Sequence, residues 1–309
     1  MKKTQIIGLI AAVIIGLTAC KSGGSSSNSE KLAGEIKIDG SSTVYPISEA
    51  IAEEFGKEQP DVKVTVGESG TGGGFKKFTV GETDISDASR PIKPAEDSAA
   101  KANKIEYVVL QIAYDGLSIV INPENKFLDN ITVEELKKLW EPEAQGKIKK
   151  WNQVNPAWPA EEVHLFGPGT ASGTFDYFTE EIVGAKGKSR GDYTASEDDN
   201  VLVQGVAGDK NAMGYFGLAY YENNQDKLKL VKVNGIAPSK ETVMNGTYKP
   251  LSRPLFIYVN KASLAKPEVK AFVKYYIDNV KSIIGDVGYI PMHDDEYAKT
   301  QQVFQDATK

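Results

Sequence analysis

Alternating segments of this chain repeatedly end at small polar residues, and a segment with helical spacing follows. Residues 35–40 alternate between polar and apolar side chains and stop at a glycine, after which apolar residues recur at Ile47 and Phe55 with helical spacing. The alternating run 62–66 leads in the same way into the glycine-rich stretch 69–74. This order of strand, loop and helix predicts parallel βαβ units, which bind ligands at the carboxyl ends of their strands.

Apolar segments further along the chain predict a second lobe. Residues 107–114 and 117–122 have the composition of buried strands, and the chain between them suits a crossing into a second lobe. The apolar strand 255–259 then returns to the first lobe, which a helix around 269–280 completes. We therefore expect an α/β protein with lobe 1 at residues 34–114 and 255–309 and lobe 2 at residues 115–254.

Four small polar clusters have the composition of an oxyanion trap. They are residues 40–43, 69–72, 88–90 and 170–174. The first turn of a helix leaves backbone N–H groups unbonded and carries the positive end of the helix dipole, so it attracts a small anion. Glycine lets the backbone approach that anion closely. Four such loops could surround one tetrahedral ion.

The N-terminus has the pattern of a lipoprotein export signal. Lys2 and Lys3 form a basic start, residues 6–17 are apolar but short for a membrane span, and the segment ends at Cys20. We expect a signal peptide at 1–19, lipid attachment at Cys20 and a flexible tether over 20–33. The alternative is an ordinary secretory signal with a chance cysteine. Because Cys20 is the only cysteine, the sequence predicts neither a disulfide nor a cysteine metal site.

The charge of the chain limits its partners. The 309 residues carry a formal net charge of −6 at pH 7. This charge argues against a nucleic-acid partner, and it requires that any bound anion be held by local donors. His164 has no acidic or histidine companions at ligand spacing, so we expect no metal site and no cofactor. We also expect a monomer located in the cell envelope.

The four clusters together resemble a known family. In order and spacing, residues 38–46, 69–74, 84–91 and 171–174 are similar to the phosphate-binding protein of the high-affinity phosphate ABC transporter, the PstS family. The resemblance covers essentially the whole mature chain. It implies a type II periplasmic-binding-protein fold, each lobe a mixed sheet flanked by helices, with the ligand in the cleft between the lobes. It further implies a receptor that binds inorganic phosphate, delivers it to an ABC permease and catalyses nothing.

The resemblance also assigns phosphate-binding residues by position. Ser42 belongs to the first cluster both as a helix cap and as a hydroxyl donor, and these two roles are compatible. The carried-over or candidate residues are Ser42, Thr43, Val44, Tyr45, Thr71, Ser89, Arg90, Ser172, Gly173, Thr174 and Arg190.

Two positions depart from the family pattern. Ser89 stands where the best-studied members have an aspartate, which accepts the proton of phosphate and so excludes sulfate. Either a hydroxyl replaces it, or Glu68, Asp87 or Asp176 reaches the anion. Anion selectivity is therefore open at this stage.

The second departure concerns the cation. Pro168 occupies the position of the family's arginine, and Arg90 and Arg190 are the candidate replacements. A guanidinium forms paired hydrogen bonds well suited to a tetrahedral oxyanion. The alternative for Arg90 is an ion pair that stabilises its loop, and for Arg190 a surface ion pair.

Three other functions compete with a phosphate receptor. The first is a receptor for another tetrahedral oxyanion, such as sulfate or molybdate. The second is a phosphoryl-handling enzyme with Ser42 or Ser172 as nucleophile, although the sequence offers these serines no obvious paired base and contains no Gly-Lys-Ser/Thr phosphate loop. The third is an envelope scaffold that shares only the fold.

Overall fold

The computed structural model describes residues 31–170, 172–196 and 198–309. The predicted leader, Cys20 and most of the predicted tether lie outside these residues. The strands are Gly34–Gly40 (β1), Val62–Glu68 (β2), Ile85–Ala88 (β3), Tyr107–Ile121 (β4), Asn130–Ile131 (β5), His164–Pro168 (β6), Thr194–Ser196 (β7), Ala212–Gly217 (β8), Lys229–Val233 (β9) and Ser252–Asn260 (β10).

The helices flank the sheet that these strands form. They are Tyr45–Glu58 (α1), Thr71–Phe78 (α2), Pro94–Ala102 (α3), Val133–Trp140 (α4), Trp151–Val154 (α5), Gly173–Phe178 (α6), Asp199–Ala207 (α7), Leu218–Glu222 (α8), Lys240–Met244 (α9), Pro267–Ile283 (α10) and Asp294–Ala307 (α11). A π-helical segment, Thr179–Val183, continues α6 directly.

The strands form a mixed sheet with the order β2-β1-β3-β10-β4-β8-β6-β7, and β9 pairs with both β4 and β5. Strand β1 runs parallel to β2 and β3, as the repeated strand, loop and helix order predicts. Strand β10 is inserted antiparallel between β3 and β4, although it lies far downstream in the chain. The α/β class is therefore confirmed, with both parallel and antiparallel pairs.

Strand β4 joins two parts of the sheet. Its first residues pair with β10 as far as Gly116, and from Leu117 onward it pairs with β8 and β9. The sequence predicts two strands here, but the structure has one continuous strand that changes partners at the predicted break. The lobe boundaries at residues 114 and 254 remain a prediction.

Buried aromatic and aliphatic faces hold the flanking helices in place. Helix α1 buries Ile47, Ile51 and Phe55, and the ring of Phe55 meets that of Phe272 edge to face at 5.3 Å. The helical spacing of these positions in the sequence is thereby confirmed. The sequence also predicts an amphipathic helix over residues 131–140 with Thr132 as its N-cap. Helix α4 begins there, because the Thr132 side chain accepts a hydrogen bond from the backbone N–H of Glu135.

Helix α6 is fixed by an aromatic stack. Phe178 lies parallel to Tyr215 at a centroid distance of 3.8 Å, and Trp140 meets both rings edge on. Such aromatic pairs are worth about 0.5–1.5 kcal/mol each beyond the apolar area that they bury. The stack therefore packs the C-terminal end of α6 against the sheet, whereas the N-terminal end of the helix lies at the edge of a cavity.

Candidate ligand-binding site

A cavity of about 630 Å³ lies at the carboxyl ends of β1, β2 and β3, beside the N-terminus of α6. Its walls come from the first, second and third small polar clusters, from Gly173 of the fourth, and from the segment leading into β10. The lining residues are Ser41, Ser42, Thr43, Ser69, Gly70, Thr71, Gly72, Gly73, Lys76, Ser89, Arg90, Pro91, Lys93, Gly173, Asp176, Tyr177, Glu180, Glu181, Lys186, Lys249, Pro250, Ser252, Arg253 and Pro254.

The first cluster is held by its own backbone. The N–H of Ser41 donates to the carbonyl of Asp87 at 2.9 Å, and the Ser41 carbonyl accepts from the N–H groups of both Val44 and Tyr45. Ser42 and Thr43 line the cavity, whereas Val44 is fully buried and Tyr45 donates its hydroxyl to Glu49. Since their amides are already bonded, the structure offers no free donor from Val44 or Tyr45 at the cavity wall.

The second cluster forms the first turn of α2. The sequence pattern predicts a helix that begins only after the glycine-rich stretch, at Phe75, whereas α2 begins four residues earlier, at Thr71. Gly74 explains this start, because a Cβ at this position would lie 2.5 Å from the Cα of Gly40, so the helix can approach the end of β1 only with glycine there. Gly70, the residue before α2, has a φ of 75°. The hydroxyl of Ser69 donates to Asp39, which also pairs with Lys77. This arrangement fixes the loop against β1.

The second and third clusters share a hydrogen bond. The hydroxyls of Thr71 and Ser89 lie 3.1 Å apart, and the N–H of Ser89 donates to the Thr71 hydroxyl at 3.2 Å. Both hydroxyls belong to the cavity wall. The structure therefore brings together two of the hydroxyl donors that the sequence placed 18 residues apart.

Arg90 lines the cavity, but its guanidinium is largely occupied. Both of its terminal nitrogens donate to Glu96, at 2.9 and 2.8 Å, and the group lies 5.6 Å from the ring centroid of Phe75. The bidentate pair ties the third cluster to α3. This geometry matches the loop-stabilising alternative that the sequence left open for Arg90.

Arg253 is the cation at the centre of the site, and the sequence reasoning missed it. It lies on β10 opposite Asp115 on β4, and its Nε donates to that carboxylate at 3.2 Å. Its Nη1 donates to the Ser89 hydroxyl at 3.1 Å, and its Nη2 donates to the Thr43 hydroxyl at 2.5 Å. One guanidinium thus connects the first and third clusters.

The carboxylate behind Arg253 lies inside the protein. Asp115 is only 4% exposed. Burial raises the pKa of Asp115, and the charge of Arg253 partly offsets that rise. A signal for this pair was present in the sequence, which contains only three arginines and places Asp115 at the break between two apolar segments. The pairing itself depends on the insertion of β10 beside β4.

The fourth cluster meets the first across the cavity. Ser172 caps α6 by accepting from the N–H of Thr174 at 3.1 Å, and neither residue belongs to the cavity wall. Gly173 does line the cavity, and a Cβ on it would lie 2.9 Å from the carbonyl carbon of Ser42. The absence of a side chain at Gly173 allows the two clusters to touch.

Arg190 lies elsewhere. It is 4% exposed, its Nε donates to Asp192 at 2.6 Å, and its Nη1 donates to the main-chain carbonyl of Leu139 at 3.1 Å. It is not among the residues that line the cavity. The structure therefore gives Arg190 a role in holding its own loop against α4. In the Arg190–Asp192 ion pair the arginine is buried, so the pair is not the surface ion pair considered from the sequence.

The three carboxylates considered for the missing aspartate have different positions. Asp176 lines the cavity and pairs with Lys186 at 2.8 Å. Asp87 is completely buried beneath the first cluster, where it accepts from the hydroxyl of Ser48 at 3.0 Å. Glu68 ends β2 and does not belong to the cavity wall. Only Asp176 of the three faces the cavity.

The cavity is locally positive although the chain is negative. Six cationic side chains line it, against three acidic ones. The cationic residues are Lys76, Arg90, Lys93, Lys186, Lys249 and Arg253, and the acidic residues are Asp176, Glu180 and Glu181. With the hydroxyls and the N-terminus of α2, this charge suits an oxyanion.

Comparisons with known proteins show the family of this chain. The family model of a PBP superfamily domain matches residues 25–280. Protein SphX of Synechocystis sp. is 47% identical, over 93% of this chain and 85% of that protein. Phosphate-binding protein PstS of Staphylococcus saprophyticus is 41% identical, over 99% of this chain and 95% of that protein.

A solved structure shares both fold and sequence. The crystal structure of a possible phosphate binding protein from Planctomyces limnophilus has 48% identity and a TM-score of 0.87, and the match covers 90% of this chain and all of that one. The predicted type II periplasmic-binding-protein fold is confirmed. The chain belongs to the PBP superfamily and, within it, to the PstS family.

Proposed function

We propose that this protein is a solute receptor that captures inorganic phosphate and delivers it to an ABC import permease. The observation that carries the proposal is the position of Arg253, whose guanidinium meets the hydroxyls of Thr43 and Ser89 where three polar clusters converge. The names of the relatives, a phosphate-binding protein PstS among them, support phosphate as the ligand.

Binding of the anion would replace two hydrogen-bond partners of Arg253. An entering anion accepts hydrogen bonds from Nη1 and Nη2 in place of the Ser89 and Thr43 hydroxyls, which then turn and donate to the anion themselves. Hydrogen bonds to an ionised acceptor are roughly twice as strong as neutral ones. The gain favours the occupied state although the carboxylate of Asp115 offsets the charge of the guanidinium.

The proposed site contains more residues than this centre. It keeps Ser42, Thr71 and Gly173 at the wall and the hydroxyls of Ser172 and Thr174 at the α6 cap, and it adds Arg253. Arg90 contributes positive charge at the wall, since both of its terminal nitrogens donate to Glu96. Val44, Tyr45 and Arg190 are left out because their donors are engaged elsewhere. We further propose that residues 115–254 act as a lobe that closes over the anion against residues 34–114 and 255–309, with the strands β4 and β10 as the connection.

Asp176 is the proposed selectivity group. It is the one carboxylate of the three candidates that lines the cavity, and Lys186 holds one of its oxygens. A carboxylate can accept a hydrogen bond from a protonated oxygen of phosphate, whereas it repels sulfate, which carries no proton near neutral pH. We therefore propose phosphate over sulfate or molybdate.

We also propose export and lipid attachment at Cys20, followed by a tether that leads to the folded part. In residues 31–309, with 171 and 197 left aside, no helix combines the length and apolarity needed to cross a bilayer. The lipid would then connect the receptor to the membrane that holds the permease. Incorporation of a labelled fatty acid that is lost in Cys20→Ser tests this part.

The proposal includes no catalysis. The Ser172 hydroxyl accepts from a backbone amide of its own helix, and neither His164 nor His293 lines the cavity. His164 instead pairs with Asp209 at 2.5 Å. No specific observation favours Ser42 or Ser172 as a nucleophile.

Calorimetric titration tests the receptor function directly. Phosphate and, separately, sulfate are added to protein that lacks residues 1–20 and has been unfolded and refolded to remove bound anions. We expect tight phosphate binding and no heat from sulfate. Binding of sulfate at least as tight as that of phosphate would overturn phosphate as the ligand, and the absence of binding to any oxyanion would support the scaffold alternative.

A further inference from the structure

Tyr177 touches both the central guanidinium and the chain segment that carries it. It lies on α6, is 2% exposed and forms part of the cavity wall. The carbon at the centre of the Arg253 guanidinium lies 3.3 Å from the centroid of the Tyr177 ring. The Tyr177 hydroxyl donates to the carbonyl of Pro250 at 2.6 Å, three residues before Arg253.

We propose that Tyr177 is a positioning residue for anion binding, which orients the Arg253 guanidinium and links helix α6 to the segment that enters β10. The inference rests on the proposed function, because it concerns the same site. It assigns to Tyr177 an effect on the anion that is exerted through Arg253 and does not require contact with the anion.

The geometry of the guanidinium supports this role. Each of its three nitrogens donates one hydrogen bond, to Asp115, Ser89 and Thr43 respectively, and the two faces of the group carry no N–H. The Tyr177 ring covers one face and favours the cation electrostatically. Because the guanidinium is planar, a ring stacked on it fixes the plane in which Nη1 and Nη2 point into the cavity.

The hydroxyl of Tyr177 adds a second attachment. It holds the Pro250 carbonyl on the segment that enters β10, so the same side chain holds the charged group and its backbone. Helix α6 also presents Gly173, which contacts the first cluster at Ser42. A shift of α6 on anion binding would therefore be passed directly to Arg253.

The neighbouring residue provides the contrast. Phe178 is fully buried and stacks on Tyr215 at 3.8 Å, away from the cavity wall. It is an aromatic residue of the same helix with a purely core environment. Phe178→Leu is thus a matched control for the loss of an aromatic side chain from α6.

The test compares phosphate affinity and unfolding temperature in four proteins: wild type, Tyr177→Phe, Tyr177→Leu and Phe178→Leu. We expect Tyr177→Leu to weaken phosphate binding roughly ten- to thirtyfold, since a desolvated cation–π contact is worth about 1.5–2 kcal/mol. Tyr177→Phe retains the ring and should bind within about threefold of wild type. Phe178→Leu should lower the unfolding temperature and leave the affinity within about twofold.

A double-mutant cycle separates positioning from general destabilisation. In an Arg253→Lys background the planar group is absent, so Tyr177→Leu should weaken binding by less than about threefold. An equal loss in both backgrounds, or a Tyr177→Leu affinity equal to wild type, would overturn the inference. If Tyr177→Leu does not fold, Tyr177→Met serves in the same cycle. Failure of the wild-type protein to bind phosphate would instead overturn the proposed function.

Discussion

Two arginines of this protein are paired with aspartates: Arg190 is buried, and Arg253 is partly buried and lines the cavity. Arg190 donates to Asp192 two residues away and to the main-chain carbonyl of Leu139. Arg253 donates to Asp115 on a neighbouring strand and to two side-chain hydroxyls at the cavity wall. A backbone carbonyl cannot turn away, whereas a hydroxyl can rotate and become a donor. The difference indicates that an arginine poised for an anion is held by partners that an anion can replace.

The largest effect is expected at Arg253. Arg253→Met should weaken phosphate binding about a thousandfold or more, equivalent to about 4 kcal/mol, because it removes two charge-assisted donors and leaves the Asp115 carboxylate unpaired beside the anion. Calorimetric titration measures the change. If Arg253→Met binds phosphate within tenfold of wild type, Arg253 is not the arginine that holds the anion.

Asp87 extends the comparison to a buried carboxylate that has no cationic partner among the described residues. Asp87 is fully buried, accepts from the Ser48 hydroxyl, and its Oδ2 has no hydrogen-bond partner among the described residues. Ser48 also contacts the Tyr276 hydroxyl at 3.0 Å. Burial raises the pKa of Asp87 from 3.8 to about 7, and the charge of Asp39 on β1 adds to the rise.

The sign of the pH effect follows from this rise. Between about pH 4 and pH 7, Asp87 has released its proton in the unfolded chain but retains it in the folded protein. The free energy of unfolding therefore falls as the pH increases through this range. We expect the free energy of unfolding of Asp87→Asn, relative to that of wild type, to rise by about 2–4 kcal/mol between pH 4 and pH 8. Urea unfolding at the two pH values measures it, with the exposed Asp286→Asn as baseline. A constant difference between Asp87→Asn and wild type contradicts the expectation.

Arg190→Met tests the other side of the comparison. We expect it to lower the free energy of unfolding by about 1–3 kcal/mol, because Asp192 and the Leu139 carbonyl lose their partner. Phosphate affinity should stay within about threefold of wild type, since Arg190 does not line the cavity. Urea unfolding and titration on the same preparation give both values. A fall in affinity comparable to that of Arg253→Met would remove the distinction between the two arginines.

The smallest effect is expected at Asp176, the carboxylate proposed to accept a hydrogen bond from phosphate. Asp176→Asn should lower the ratio of phosphate to sulfate affinity by about tenfold, because an amide no longer repels an unprotonated oxyanion. Glu180→Gln, which changes another cavity-lining carboxylate on the continuation of the same helix, is the matched control. The ratio comes from competition between the two anions. An equal change in both variants would point to general charge and not to Asp176.

The sequence predicted the local parts of this structure better than the long-range ones. The cap of α4 at Thr132 and the buried face of α1 follow from short spacings, which are set by neighbouring residues. Helix α2 starts earlier than predicted because Gly74 packs on Gly40, a contact that local spacing does not reveal.

The candidate site shows the same limit. Ser89 and Thr71 were identified from their loops, and the structure brings their hydroxyls together. Arg253 was missed because it is 164 positions from Ser89 and reaches it only through the antiparallel insertion of β10. Arg190 was proposed on its residue type alone, although an aspartate two residues later was available to occupy it.

A crystal structure of the protein with phosphate tests the central claim most directly. The account predicts tetrahedral density with one oxygen or more within hydrogen-bond distance of Nη1 and Nη2 of Arg253, and the hydroxyls of Thr43 and Ser89 turned toward the anion. Phosphate bound at another group of cationic residues, with the Arg253 contacts to Thr43 and Ser89 unchanged, would contradict it.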